Sequence, residues 1–173
     1  DIERIFSGYP VLKNNFGGYK ILMTEFKLDI WCLKDTWALK NQPILNFLEN
    51  ELEKYVPSTA FFNFSSVMYS FNKKKFYYTR HFTRFLQEKQ IDFVYKPNAN
   101  YSLCVVNTFY YSDKYHLRIS KKLKNYICYL HKKIKIDYTE VQIKHFGAVL
   151  YPNELIAAKV SALKKQLDML TDD

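Results

Sequence analysis

At 173 residues, 48% of them hydrophobic and with only 4 Gly and 5 Pro, the chain can bury a real core without staples, which excludes a disordered or low-complexity segment. Twenty-six Lys+Arg against seventeen Asp+Glu give a net charge of +9, which favours polyanionic partners, nucleic acid first, although a Lys-rich proteome would produce the same excess without binding. No apolar run approaches the roughly 18 to 20 residues that cross a bilayer, and the amino terminus lacks a basic-then-apolar leader, so the expectation is a cytoplasmic protein with no membrane partner.

Along the chain, Asp1 caps a short predicted helix with Ile2, Ile5 and Phe6 on one face, stopped by Gly8 and Pro10. The opening on Asp1, with no initiator Met, reads as a fragment or a trimmed chain. Asn14-Asn15-Phe16-Gly17-Gly18 is a turn whose paired glycines permit positive φ or close approach of the backbone to a ligand. Two strands follow, Tyr19 to Met23 and Phe26 to Trp31, around Thr24-Glu25. Alternation in the second puts Phe26, Leu28 and Ile30 on one face and Lys27, Asp29 and Trp31 on the other. Asp29 is the odd residue, a carboxylate in Leu28-Asp29-Ile30-Trp31 with no packing reason to be there.

Asp35 or Thr36 then caps a short helix, and Pro43 starts a longer one through Tyr55 with Ile44, Leu45, Leu48, Leu52 and Tyr55 at helical spacing. Thr59 to Phe71 has the aromatic and β-branched density of a strand, Asn72 to Lys75 is a charged turn, and Phe76-Tyr77-Tyr78 returns as its partner. Arg80 to Gln87 is predicted helical and Ile91 to Tyr95 a strand. Pro97 to Asn100 breaks the chain, after which helices are expected over Ser102–Tyr115, over Lys121–Ile134 capped by Ser120, over Tyr138–Phe146 ended by Gly147, and from Pro152 to Leu170. In the second of these, Leu123, Tyr126, Ile127, Leu130 and Ile134 form a buried stripe. The expected fold class is α+β, a mixed or antiparallel sheet with flanking helices over residues 1–96 and a helical, basic part over 97–173.

The densest basic segment runs from Lys114 to Lys135, and its Lys114, Arg118, Lys121, Lys124 and Lys132 are the candidate nucleic-acid contacts. Thr59, Asn63 and Ser65 alternate on one face of their predicted strand and are placed to line a nucleotide pocket, or are simply satisfied polar residues of a sheet. Gly17 and Gly18 are candidates for cradling a triphosphate with backbone N–H groups. Lys20 is either a phosphate contact or a solvent-side charge. Cys32, Cys104 and Cys128 are odd in number and far apart without CxxC spacing, so reduced, buried thiols are expected. His81, His116, His131 and His145 have no partners at metal or triad spacing and read as surface or core histidines.

The order Asn15-Phe16-Gly17-Gly18, a hairpin, then Leu28-Asp29-Ile30-Trp31 and Asp35-Thr36-Trp37-Ala38 resembles the later half of the head domain of polymerase-β-type nucleotidyltransferases, bacterial relatives of poly(A) polymerases and CCA-adding enzymes above all. Thr59 to Val67 and Asn98 to Val106 also resemble that subgroup. The resemblance implies a nucleotidyltransferase-like fold in which three carboxylates hold two divalent metals around a nucleoside triphosphate, with Asp29 at the position of the third. It further implies Mg²⁺ or Mn²⁺ as cofactor, an NTP as substrate and an RNA, tRNA-like, as acceptor, with protein as another possible acceptor. In-line displacement at the α-phosphorus needs such metals to activate the attacking hydroxyl and neutralise pyrophosphate. The family's Gly-Ser turn and Asp-x-Asp strand do not occur here; Asp1-Ile2-Glu3 has the spacing but opens a helix. Their carboxylates would come from a missing N-terminal segment or a partner chain, and without them the alternative is a catalytically incomplete RNA-binding or toxin/antitoxin-type interaction module.

Overall fold

The computed structural model describes residues 2–13, 17–33, 52–95, 100–134 and 137–169. The fold is α+β, with small antiparallel sheets and several helices, and it divides into two compact units, Asp1–Asn50 and Glu51–Asp173. Among the described residues no helix is long and apolar enough to cross a membrane.

The first unit opens with the expected short helix, α1 (Ile2–Ile5). Its sheet is an antiparallel meander in the order β1 (Val11–Lys13), β2 (Tyr19–Leu22), β3 (Lys27–Ile30). The β2–β3 hairpin is closed by Met23 N–H donating to the Phe26 carbonyl at 3.0 Å around Thr24-Glu25, as the sequence predicts. Cross-strand pairing brings Val11, Ile21 and Leu28 into one row and Leu12, Lys20 and Asp29 into the row on the opposite face. Ile21 is fully buried while Lys20 and Asp29 are exposed, so the side of the sheet that carries Asp29 is the wet one. Strand β1 is too short, and too close to Pro10, to have been read from the sequence. The helices expected to begin at Asp35 or Thr36 and at Pro43 fall mainly outside the described residues. Of them, α2 (Leu52–Tyr55) is described, and it passes into a 3₁₀ turn over Val56–Thr59 with Pro57 in its first turn.

In the second unit the expected strand over Thr59–Phe71 is mostly something else. One 3₁₀ turn, Val56–Thr59, ends where that strand is expected to begin and a second, Asn63–Ser65, interrupts it after a short extended stretch, and strand β4 (Val67–Ser70) pairs with β5 (Lys75–Tyr78) only beyond them. The reason is side-chain competition for the backbone. Thr59 Oγ1 donates to the Val56 carbonyl at 2.7 Å, Ser65 Oγ to Phe62 at 3.0 Å and Ser66 Oγ to Asn63 at 2.7 Å, so hydroxyls close tight turns that a ladder would otherwise open. Helix α3 (Arg80–Glu88) is capped by Thr79, whose hydroxyl accepts from Phe82 N–H at 3.3 Å.

The core sits between this segment and the helices. Chain 60–63 runs antiparallel to 92–95, with Val94 N–H on the Phe61 carbonyl at 2.7 Å and Asn63 N–H on Asp92 at 2.9 Å. Phe62 and Phe93 from this pair, Ile91 from β6 (Gln90–Ile91), and Cys104, Val105, Val106 and Phe109 from α4 (Tyr101–Tyr115) belong to a single apolar cluster. Helix α5 (Lys121–Lys133), capped by Ser120 with Leu123 N–H at 3.0 Å, buries the predicted stripe Leu123, Tyr126, Ile127 and Leu130. It packs against α7 (Asn153–Asp168) through Ile156, Val160 and Leu163. Helix α6 (Thr139–Phe146) ends at Gly147, whose φ of 77° supplies the left-handed cap. Residues from both sides of Pro97, Phe62 and Ile91 before it and Val105 and Leu123 after it, share this core. A two-residue parallel pairing of β6 with β7 (Arg118–Ile119) ties the end of α4 back to the earlier segment.

Candidate functional site

Asp29 is positioned by register. It lies opposite Lys20 in the β2–β3 ladder, and Lys20 Nζ stands 4.0 Å from Oδ1. Both side chains are about half exposed, at 47% for Lys20 and 57% for Asp29, so the carboxylate is presented rather than buried. Gly17, two residues before β2, has φ 84°, a conformation that glycine adopts without strain, and Gly18 beside it is buried. The hairpin therefore carries Lys20 and Asp29 side by side in its ladder, with Gly17 and Gly18 leading into β2. Asp29 offers one hard oxygen ligand for a divalent ion. Among the described residues no three His, Cys, Asp or Glu side chains stand together in a way that could hold a metal.

Thr59 and Asn63 do not line a strand face. The Asn63 side chain is 4% exposed and bonded to the opposite segment on both sides, Nδ2 donating to the Gln90 carbonyl at 2.8 Å and Oδ1 accepting from Asp92 N–H at 3.0 Å. An amide used in this way clamps the backbone from a buried position. Thr59 is held in its own turn by the bond to Val56.

The basic segment divides in two. Lys114 lies over the rings of Tyr110 and Tyr115, each with its centroid 5.3 Å away, and donates to the Tyr110 hydroxyl at 3.3 Å, which raises its proton affinity. Lys122 sits 4.0 Å above the Phe93 ring and Lys133 4.7 Å from Tyr129. These cations cover aromatic surface. Lys121 and Lys132 are exposed on α5, whereas Arg118 and Lys124 face a cleft of about 540 Å³ between α4, β7, α5 and α7. Lys159, Gln90, Gln166 and Asp113 also line it.

That cleft is electropositive by arrangement. Among the described residues Asp113 is its one carboxylate, and both oxygens are taken, by Lys159 Nζ at 3.1 and 2.9 Å and by the Tyr151 hydroxyl at 2.8 Å. Burial and the proton donated to Asp113 push the Tyr151 phenol well above its ordinary range. Arg118 spends one of its five N–H donors on the Glu88 carbonyl at 3.0 Å. Lys124 makes no side-chain hydrogen bond within the described residues. A half-enclosed space of this size, with a guanidinium, a free ammonium and two primary amides on its walls, suits a phosphate-bearing ligand of nucleotide size. The sequence pointed to Arg118 and Lys124 but missed Asp113, Lys159, Gln90 and Gln166, because no local pattern brings helix positions 46 residues apart onto one ion pair.

Compared with protein-family models, with curated proteins and with solved structures, the chain matches none.

Proposed function

We propose that the chain is a nucleotidyltransferase-like protein acting on RNA, with Asp29 as one carboxylate of the transfer site and the basic cleft with the exposed lysines of α5 as grip on a phosphate backbone. The observation that carries this reading is the setting of Asp29. A strand register places it on the solvent-facing row of a hairpin entered through a left-handed glycine, with a long ion pair to Lys20 as its counter-charge. A carboxylate so presented is available to Mg²⁺ or Mn²⁺, which when bound would supply activation of the attacking hydroxyl and charge neutralisation on an NTP. Its companion carboxylates have to come from another segment or a partner chain.

A second reading is favoured by the cleft. Three cations against one neutralised carboxylate suit a catalytically incomplete RNA-binding or interaction module that grips phosphates without transferring anything. Incubation with labelled NTPs, Mg²⁺ or Mn²⁺ and bulk RNA separates the two. Transfer that disappears in Asp29→Ala supports the transferase; salt-sensitive RNA binding without transfer, unchanged in Asp29→Ala, supports the module. Label appearing on polypeptide moves the acceptor from RNA to protein, and the absence of both transfer and binding overturns both readings.

A further inference from the structure

The β4–β5 hairpin packs by one face and shows rings on the other. Its register pairs Val67 with Tyr78 and Tyr69 with Phe76, and strand alternation puts all four on one side, with Phe71 just past the end of β4. Tyr69 is 39% exposed, Phe76 and Tyr78 are each 60% exposed, and Phe71 is 84% exposed. The rings are already arranged against one another, with Tyr69 4.8 Å from Phe76 and edge-on to Phe71 at 5.2 Å. The opposite face holds the hairpin down without them: Ser70 is buried there and donates to Glu53 at 2.7 Å, and Glu53 also pairs with Lys73. Tyr78 meets Phe82 of α3 at 6.3 Å, whereas Tyr69, Phe71 and Phe76 are arranged against one another, and an exposed cluster of large rings of this kind marks an interaction surface.

Charge identifies the occupant. Between Glu53 and Glu88 the chain has six Lys or Arg (Lys54, Lys73, Lys74, Lys75, Arg80, Arg84) and no Asp or Glu. The two flanking acids are consumed locally, Glu53 by Lys73 and Ser70 and Glu88 by Arg84 at 2.7 Å. Exposed Lys74 and Arg80 bracket β5 at its two ends. A ligand for this face must offer flat π surfaces at intervals along an anionic backbone, which describes unpaired bases; a duplex hides those faces in its own stack. We propose that the ring face of the β4–β5 hairpin is a stacking platform for the bases of a single-stranded polynucleotide, with Lys74 and Arg80 on its phosphates. The inference rests on RNA being the polyanion and gives it a second surface beside the cleft.

The test uses the full chain, a short labelled poly(U) strand and an RNA duplex of the same length, read by fluorescence anisotropy. The single strand is expected to bind more tightly, and the double substitution Tyr69→Ala/Phe76→Ala to weaken it by about tenfold or more, with duplex binding unchanged. Phe76→Trp keeps a ring, retains affinity and shows quenched emission on addition of poly(U), a signature that a merely structural role would not give. If the wild type binds poly(U) and Arg118→Ala/Lys124→Ala abolishes this while the ring variant binds normally, the platform is overturned and the RNA reading survives. Failure of the wild type to bind any RNA overturns the RNA reading and the platform with it. Quenching of Phe76→Trp by anionic vesicles but not by poly(U), or a ring-dependent dimer indifferent to poly(U), assigns the face to a membrane surface or a second copy and overturns the proposal.

Discussion

Lys20 faces Asp29 directly across the β2–β3 ladder, its ammonium 4.0 Å from the carboxylate and both groups in solvent. An exposed pair at this distance contributes less than about 1 kcal/mol. Asp29→Ala is therefore expected to leave the urea midpoint nearly unchanged. A clear drop in that midpoint would assign Asp29 a structural role, and with the fold intact any loss of nucleotide transfer in the variant belongs to chemistry.

His131 gives the second unit an acid-sensitive point. Its Nδ1 lies 2.8 Å from the Tyr138 hydroxyl, and burial lowers its pKa below the ordinary 6.5, while burial and then Arg80 and Lys122 lower that of His81. A depressed histidine binds its proton less readily folded than unfolded, so the stability present above pH 6.5 is lost as the pH falls through the folded value. Glu53 and Asp137 are held below their ordinary 4.5 and 3.8 and titrate under this window. Thermal melts from about pH 7.5 to about pH 5.5 should show a falling midpoint, and His131→Gln a flatter one. Equal slopes in the two proteins would remove His131 from the account.

Gln142 is fully buried and saturates its amide. Nε2 donates to the Tyr138 and Tyr151 carbonyls at 3.0 and 2.9 Å, and Oε1 accepts from Leu150 and Tyr151 N–H at 3.1 and 2.9 Å. Gln142→Leu keeps the volume and strands those backbone groups, with an expected cost of about 3 kcal/mol or more in denaturant unfolding. A change under about 1 kcal/mol would mean that water reaches the freed groups.

The three cysteines are free, but they differ in access. Cys32 is exposed, Cys128 is half-buried with its thiol raised by burial, and Cys104 is buried with its thiol pushed up to about 12. The sequence expectation of uniformly buried thiols fails at Cys32, which lies just beyond the end of β3. A colorimetric thiol reagent should label Cys32 quickly in the native protein and Cys104 only on unfolding. Rapid native labelling at Cys104, read by peptide mapping, would contradict the packing of α4.

What the sequence disclosed was whatever local chemistry decides. Ser120 as a cap, Gly147 as a stop, the turn at Thr24-Glu25 and the stripe from Leu123 to Leu130 all follow from neighbours within a few residues, and all stand in the structure. Asn63 to Ser65 reads as a continuation of the strand because Phe62 and Phe64 look the same to a propensity scale whether they flank a ladder or a 3₁₀ turn. The hydroxyls of Thr59, Ser65 and Ser66 were the signal, and they compete with the ladder only once partners are in reach. Asn63 was noticed as polar, yet its function as a clamp depends on residues 27 to 29 positions away. The Asp113–Lys159 pair was invisible for the same reason.

The bonds between Ser66 and Thr79 have a further consequence. Thr79 N–H donates to the Ser66 carbonyl at 3.1 Å and the two hydroxyls meet at 2.9 Å, so the chain leaves for β4 and returns from β5 through one narrow neck. None of the core cluster found among the described residues lies between Phe64 and Phe85. The arm beyond the neck is therefore held by few points, the neck itself and the Ser70 and Lys73 contacts to Glu53. Its ring face is open to exchange while those points stay fixed, much as a tool bit is changed in a fixed chuck.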